Sequence, residues 1–113
     1  MRHLKFILTF CLITSSVFAQ KGINFLKNSN LNTAIALAKK QNKLLFVEVY
    51  APDCHICNSF TGTFAQPQVG AIYNAKFINY QLDVRKPENQ KILQQLKIII
   101  NATPTFLFFE PKS

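Results

Sequence analysis

Leu44-Leu45-Phe46-Val47-Glu48-Val49-Tyr50, then Ala51-Pro52-Asp53, then Cys54-His55-Ile56-Cys57: a strand, a stop and a cysteine pair follow one another directly. The first seven residues are apolar or aromatic except Glu48 and are rich in β-formers, the pattern of a strand covered on both faces. A central strand of an α/β sheet is therefore expected here. Pro52 ends it. A helix is expected to begin at Asp53 or Cys54, run to about Ala65, and restart after Pro67, a residue suited to a first helical position.

Upstream, residues 23–26 read as a short first strand, and Asn30 or Asn32 is a candidate cap for a helix with Leu31, Ala34, Ile35 and Ala38 on its buried stripe. That pattern ends at Lys39-Lys40-Gln41-Asn42. Downstream, residues 77–84 read as a strand, Pro87 and Glu88 open a helix with Ile92, Leu93 and Leu96 inward, and residues 105–109 form a last strand after Pro104. The order β-α-β-α-β-α-β requires a mixed or parallel sheet with helices on both sides. At 113 residues, with 49% hydrophobic and 16% charged, the chain has the composition of one globular domain.

Two cysteines at i and i+3 on one helix share a face, so their sulfurs can meet. Cys54 is the expected nucleophile, because free N–H groups in the first helical turn favour thiolate over thiol. Cys57, one turn deeper, is the expected resolving thiol, attacking Cys54 to release a mixed disulfide. The same spacing serves zinc sites, but a structural zinc takes four ligands, typically two such pairs, and the mature chain offers Cys54, Cys57 and His55. No metal site is assigned. A purely stapling disulfide is the other alternative, although so short a loop removes little unfolded-state entropy.

Residues 1–19 read as a secretory leader: Arg2, His3 and Lys5 give a basic start, an apolar run follows, and small residues end at Ala19. Cys11 leaves with it, and residues 20–113 form the mature domain with two cysteines. An uncleaved membrane anchor is the alternative, but the run falls short of the ~20 residues a bilayer needs. The net charge of +8 raises nucleic-acid binding as a function, yet the lysines are scattered and form no patch interleaved with aromatics, so no nucleic-acid partner is expected.

Val47 to Cys57, Leu82-Asp83-Val84 and Ala102-Thr103-Pro104-Thr105-Phe106 together resemble the thioredoxin superfamily across the mature chain. Thr63-Phe64-Ala65-Gln66-Pro67-Gln68-Val69 and Pro104 to Phe109 are most similar to the C-terminal thioredoxin-type domain of DsbD and its free-standing secreted relatives. The resemblance implies a thioredoxin-like three-layer α/β fold around a central mixed sheet. It implies that Pro104 is the family's cis-proline and that Thr103 faces substrate. It places Glu48, six residues before Cys54, where the family often carries a buried acid; burial in an apolar strand raises such a carboxyl and fits it to take the Cys57 proton.

Asp53 stands where many relatives have tryptophan, and with His55 and Ile56 it is expected to tune the pair. Asp53 disfavours a neighbouring thiolate, and His55 favours one when protonated. Family members close the sheet with a further antiparallel strand and a final helix, whereas this chain reaches Glu110-Pro111-Lys112-Ser113 where the hairpin turn belongs, so the fold is expected to lack that last strand and helix. The implied activity is thiol:disulfide exchange, as a reductant and without a cofactor, by a monomer in the periplasm, with protein thiols and disulfides as partners and a membrane electron-donor protein upstream. The rival function is a redox-inactive or metal-handling binding module using the same groove.

Overall fold

The computed structural model describes residues 21–111. The leader expected over residues 1–19, with its cleavage after Ala19, lies outside the described residues. Helix α1 (Leu31–Gln41) is capped by Asn30, whose side chain accepts the Thr33 N–H at 2.8 Å, and it ends at Asn42 in the left-handed region. Strand β1 (Leu44–Tyr50) follows, then α2 (His55–Ser59), α3 (Thr61–Phe64), α4 (Pro67–Lys76), β2 (Phe77–Asp83), α5 (Pro87–Gln95) and β3 (Thr105–Phe109). Among the described residues the sheet has three strands in the order β2-β1-β3, parallel between β1 and β2 and antiparallel between β1 and β3. The expected mixed sheet with β1 at its centre is present, and β3 lies at its edge.

Alternation along β1 sends Leu45, Val47 and Val49 to one face and Phe46, Glu48 and Tyr50 to the other. The first set meets Ile78, Tyr80 and Leu82 of β2, under Leu31, Ala34 and Ala38 of α1 and Leu93 of α5. The second face carries an aromatic cluster. Phe46, 1% exposed, stands within 4.9–6.3 Å, centroid to centroid, of Phe25, Phe64, Tyr73, Phe77, Phe106 and Phe108.

Three expectations need correction. Residues 23–26 form no strand: a single parallel bridge joins Phe25 to Asn79, with Leu26 N–H donating to Asn79 O at 2.9 Å. The segment is held instead by its crossing over the α3–α4 corner, where Gly22 and Gly70 approach so closely that neither leaves room for a side chain. The helix expected over residues 54–65 breaks at Phe60, whose N–H bonds back to Cys57 O. Thr61-Gly62-Thr63 are weak helix formers, and the turn admits the Phe60 ring to contact with Phe64 and Phe106. Leu96 is exposed, because Lys97 takes the left-handed conformation and Ile98 N–H closes on Leu93 O at 2.9 Å; Ile98 and Ile100 pack on the core instead.

Candidate active site

The parallel strands β1 and β2 both point their C-terminal ends to the end of the sheet where the cysteines lie. After Tyr50 the chain turns, with Cys54 N–H donating to Ala51 O at 3.0 Å, and Cys54 becomes the cap of α2 in extended conformation. Of the two expected starting points, Asp53 and Cys54, the helix follows the second. The Cys57 N–H donates to Cys54 Sγ at 3.0 Å, and the two sulfurs are joined as a disulfide with Cα atoms 5.2 Å apart. Because α2 has only five residues, what Cys54 gains from it is this first-turn N–H and not the field of a long helix. Cys57 is buried at 5% exposure, while Cys54 is only half-buried. On mild reduction, iodoacetamide at weakly acidic pH is expected to label Cys54 before Cys57, checked by peptide mass spectrometry; preferential labelling of Cys57 would reverse the two roles.

Glu48 lies on the same face of the sheet as the pair and is 3% exposed. It lines a cavity of about 370 Å³ with Cys57, Tyr50, Asn58, Thr61 and Gln81. Its register partner Gln81 donates from Nε2 to Glu48 Oε1 at 2.8 Å. Burial raises the Glu48 carboxyl above its ordinary value, and the Gln81 hydrogen bond opposes that shift. Burial, then the Asp83 and Glu48 carboxylates, raise the Tyr50 phenol, which stays neutral at physiological pH.

The Glu48 shift makes stability depend on pH. With the folded-state value above the unfolded one, the unfolded chain releases this proton first, so stability falls as pH rises from the ordinary glutamate value of 4.5 to the folded-state value. A Glu48→Gln variant is therefore expected to be more stable than the parent at neutral pH. The difference should vanish below the ordinary glutamate range, as read by urea unfolding at several pH values. An equal difference at all pH values would remove burial of the charge as its cause.

The other expected site residues take these places. Asp53 is exposed and pairs with Arg85, Nη1 to Oδ1 at 3.4 Å, while Arg85 also reaches Asp83 at 3.9 Å. His55 and Ile56 project into solvent from α2, Ile56 at 59% exposure. The Thr103–Pro104 peptide is cis, and both residues are half-buried immediately before β3. Antiparallel pairing sets Thr105 beside Val49, so this segment reaches the end of the sheet from which β1 leads to Cys54. Gln81 and Arg85 were not foreseen. The alternation of Asn79, Gln81 and Asp83 along strand 77–84 was the available signal for the first, since it sets Gln81 on a polar face; nothing local marked the second.

A family model described as thioredoxin-like matches residues 26–111. A comparison with curated proteins gave no match. Among solved structures, a thioredoxin from Thermus thermophilus aligns at 24% identity over 81% of this chain and 68% of its own, with a TM-score of 0.67. A provisionally assigned disulphide-isomerase from Bacteroides thetaiotaomicron aligns at 28% identity over 78% and 71%, with a TM-score of 0.64. A disulphide isomerase from Xylella fastidiosa Temecula1 aligns at 14% identity over 79% and 72%, with a TM-score of 0.62. The match over 26–111, on a fold whose central strand delivers Cys54 and Cys57 to the sheet end as a bonded pair, identifies the chain as a member of the thioredoxin-like family.

Proposed function

We propose that the protein is a thiol:disulfide oxidoreductase that reduces disulfides in secreted proteins through Cys54 and Cys57, in the manner of the DsbD-type domains its sequence resembles. The observation that carries this reading is the unequal burial of two bonded cysteines: the half-buried Cys54 is open to a partner sulfur, and the buried Cys57 is reserved for internal attack. The cycle is electron-balanced. The Cys54 thiolate attacks a substrate disulfide, releasing one substrate thiol and forming a mixed disulfide; Cys57, losing its proton to Glu48, then attacks Cys54 Sγ and releases the second. Two electrons pass to the substrate and the protein is left as its disulfide. An upstream membrane donor returns it to the dithiol. Thr103 and Pro104 form the edge along which the substrate backbone lies.

The leader-like residues 1–19 support export to the periplasm, with the mature protein starting after Ala19. The test is reduction of insulin disulfides in dithiothreitol, expected for the wild type and lost in Cys54→Ser. Equal rates for both would remove the assignment.

The direction of flow follows from the charges at the pair. Asp53 disfavours the Cys54 thiolate and so makes the disulfide a weaker oxidant. Arg85 stands against it in solvent, so its influence is smaller than that of an isolated charge. Equilibration with glutathione is expected to give a potential below roughly −200 mV, with Asp53→Ala raising it by only about 10–20 mV. A value near −120 mV, that of a strong oxidant, would overturn the reductant role.

A further inference from the structure

Glu48 and Gln81 are register partners on adjacent parallel strands, and the bond from Gln81 Nε2 to Glu48 Oε1 is 2.8 Å long. Among the described residues no cation forms an ion pair with Glu48, and Arg85, the cation nearest in sequence to Gln81, is turned to Asp53 and Asp83. The groups around the carboxyl come from Ile23 and Phe25 of the leading segment, Tyr50 on β1, Gln81 on β2, Cys57 on α2, Thr61 and Phe64 on α3, and Phe106, its apolar register partner on β3, while Asp83 at the end of β2 acts on Tyr50. Of these Asp83 is anionic and lies toward Tyr50. Gln81 is therefore the one polar group bonded to the Glu48 side chain among the described residues, and it is neutral.

An amide differs from a cation in one respect that matters to a proton acceptor. Its Nε2 donates to one oxygen of the carboxylate and still donates to that oxygen once the other has taken a proton, and, being neutral, it does so without the opposite charge by which an ammonium or guanidinium would hold the carboxyl ionised. Gln81 can therefore partner Glu48 before and after proton uptake. With Oε1 engaged, Oε2 is left as the oxygen to receive a proton from the shared cavity.

We infer that Gln81 is a positioning residue for mixed-disulfide resolution: it fixes one oxygen of Glu48, leaves the other to the Cys57 proton, and stays bonded to the acid in both of its protonation states. This deepens the proposed function and rests on it. In the step concerned, the Cys57 S–H proton passes to Glu48, the Cys57–Cys54 bond forms, and the bond from Cys54 to the leaving sulfur breaks, that sulfur departing as a thiolate with the electron pair.

The test is release of nitrothiobenzoate from a Cys54 mixed disulfide made on the reduced full chain, followed by stopped flow from mildly acidic to mildly alkaline pH. Glu48→Gln identifies the limb that belongs to Glu48. Removing the donor with Gln81→Met is expected to move that limb upward, by at most about one pH unit, since that is the size of a hydrogen bond to a charged acceptor and the exposed Gln81 leaves room for water to replace part of it. Gln81→Lys, which adds a cation, should move it downward. Opposite displacements in two variants with unchanged circular dichroism are not produced by loosening of the fold. A limb that stays in place in both variants, or moves the same way in both, overturns the positioning role while the oxidoreductase reading stands. Failure of Cys57 to release the second nitrothiobenzoate in the wild type overturns both.

Discussion

Phe46→Ala is expected to lower the unfolding free energy by about 3–5 kcal/mol, the range for truncating a buried aromatic. The ring is 1% exposed although several of its neighbours reach the surface, so it is the point at which segment 21–27, α3, α4, β2 and β3 meet. Truncation leaves a void bounded by six aromatic rings that are themselves held by separate elements, and such a wall collapses poorly. Phe46→Leu refills part of the space and should lose far less, about 1 kcal/mol. The measurement is denaturant unfolding, with the midpoint lowered at unchanged m-value. A loss below about 1 kcal/mol for the alanine variant would show that the cluster is loosely packed. Because Phe64 lines both this cluster and the Glu48 cavity, a loss of the full size should also raise the reactivity of Cys57.

What could be read from the sequence was what depends on neighbours along the chain. The run Leu44–Tyr50 is apolar on both faces because it pairs on both sides and is covered above and below, and its stop at Ala51-Pro52 sets the cysteines at the start of the next helix. Asn30 and Pro67 act at helix starts through local hydrogen bonding and backbone geometry, so they too were legible. The segment 23–26 is as apolar as a strand, but whether it pairs is decided by the crossing of Gly22 over Gly70, forty-eight positions away. The break at Phe60 has a local part in the weak helix formers Thr61-Gly62-Thr63, but its place is set by the aromatic cluster, which assembles from residues as far apart as Phe25 and Phe106.

The candidate site divides in the same way. Cys54, Cys57 and the neighbouring Glu48 lie on one continuous stretch, and strand alternation already separated Glu48 from Val47 and Val49. Thr103 and Pro104 were placed by resemblance. Gln81 and Arg85 reach their partners across 33 and 32 positions, and a pairing register is invisible until strands are assembled. The consequence for charge is specific: the sequence shows Asp53 beside Cys54 as a bare anion, whereas the fold gives it Arg85, and the effect expected of Asp53 on the redox balance shrinks accordingly.

Cys57→Ser is expected to arrest the protein as mixed disulfides through Cys54, with release slowed by roughly 10³-fold or more. The size follows from the geometry. Cys57 Sγ is within bonding reach of Cys54 Sγ without any rearrangement of α2, because the Cys57 N–H already holds Cys54 Sγ at 3.0 Å and the two Cα atoms are 5.2 Å apart. Attack from that position is intramolecular, and well-oriented intramolecular reactions proceed as if the attacking group were present at effective concentrations of about 10⁵ M or above. An external thiol at millimolar concentration must replace it in the variant, so even a small fraction of the full advantage leaves release at least three decades slower. Serine keeps the size of the buried side chain and adds a hydroxyl where Asn58, Thr61 and the Glu48 carboxyl offer polar neighbours, so the fold should persist. Non-reducing gels of the variant after incubation with oxidised protein substrates should show adducts that collapse on adding dithiothreitol, and Cys54→Ser should show none. Release at an unchanged rate in Cys57→Ser would mean that a thiol outside the pair resolves the intermediate, and the two cysteines would then have to be assigned a structural bond.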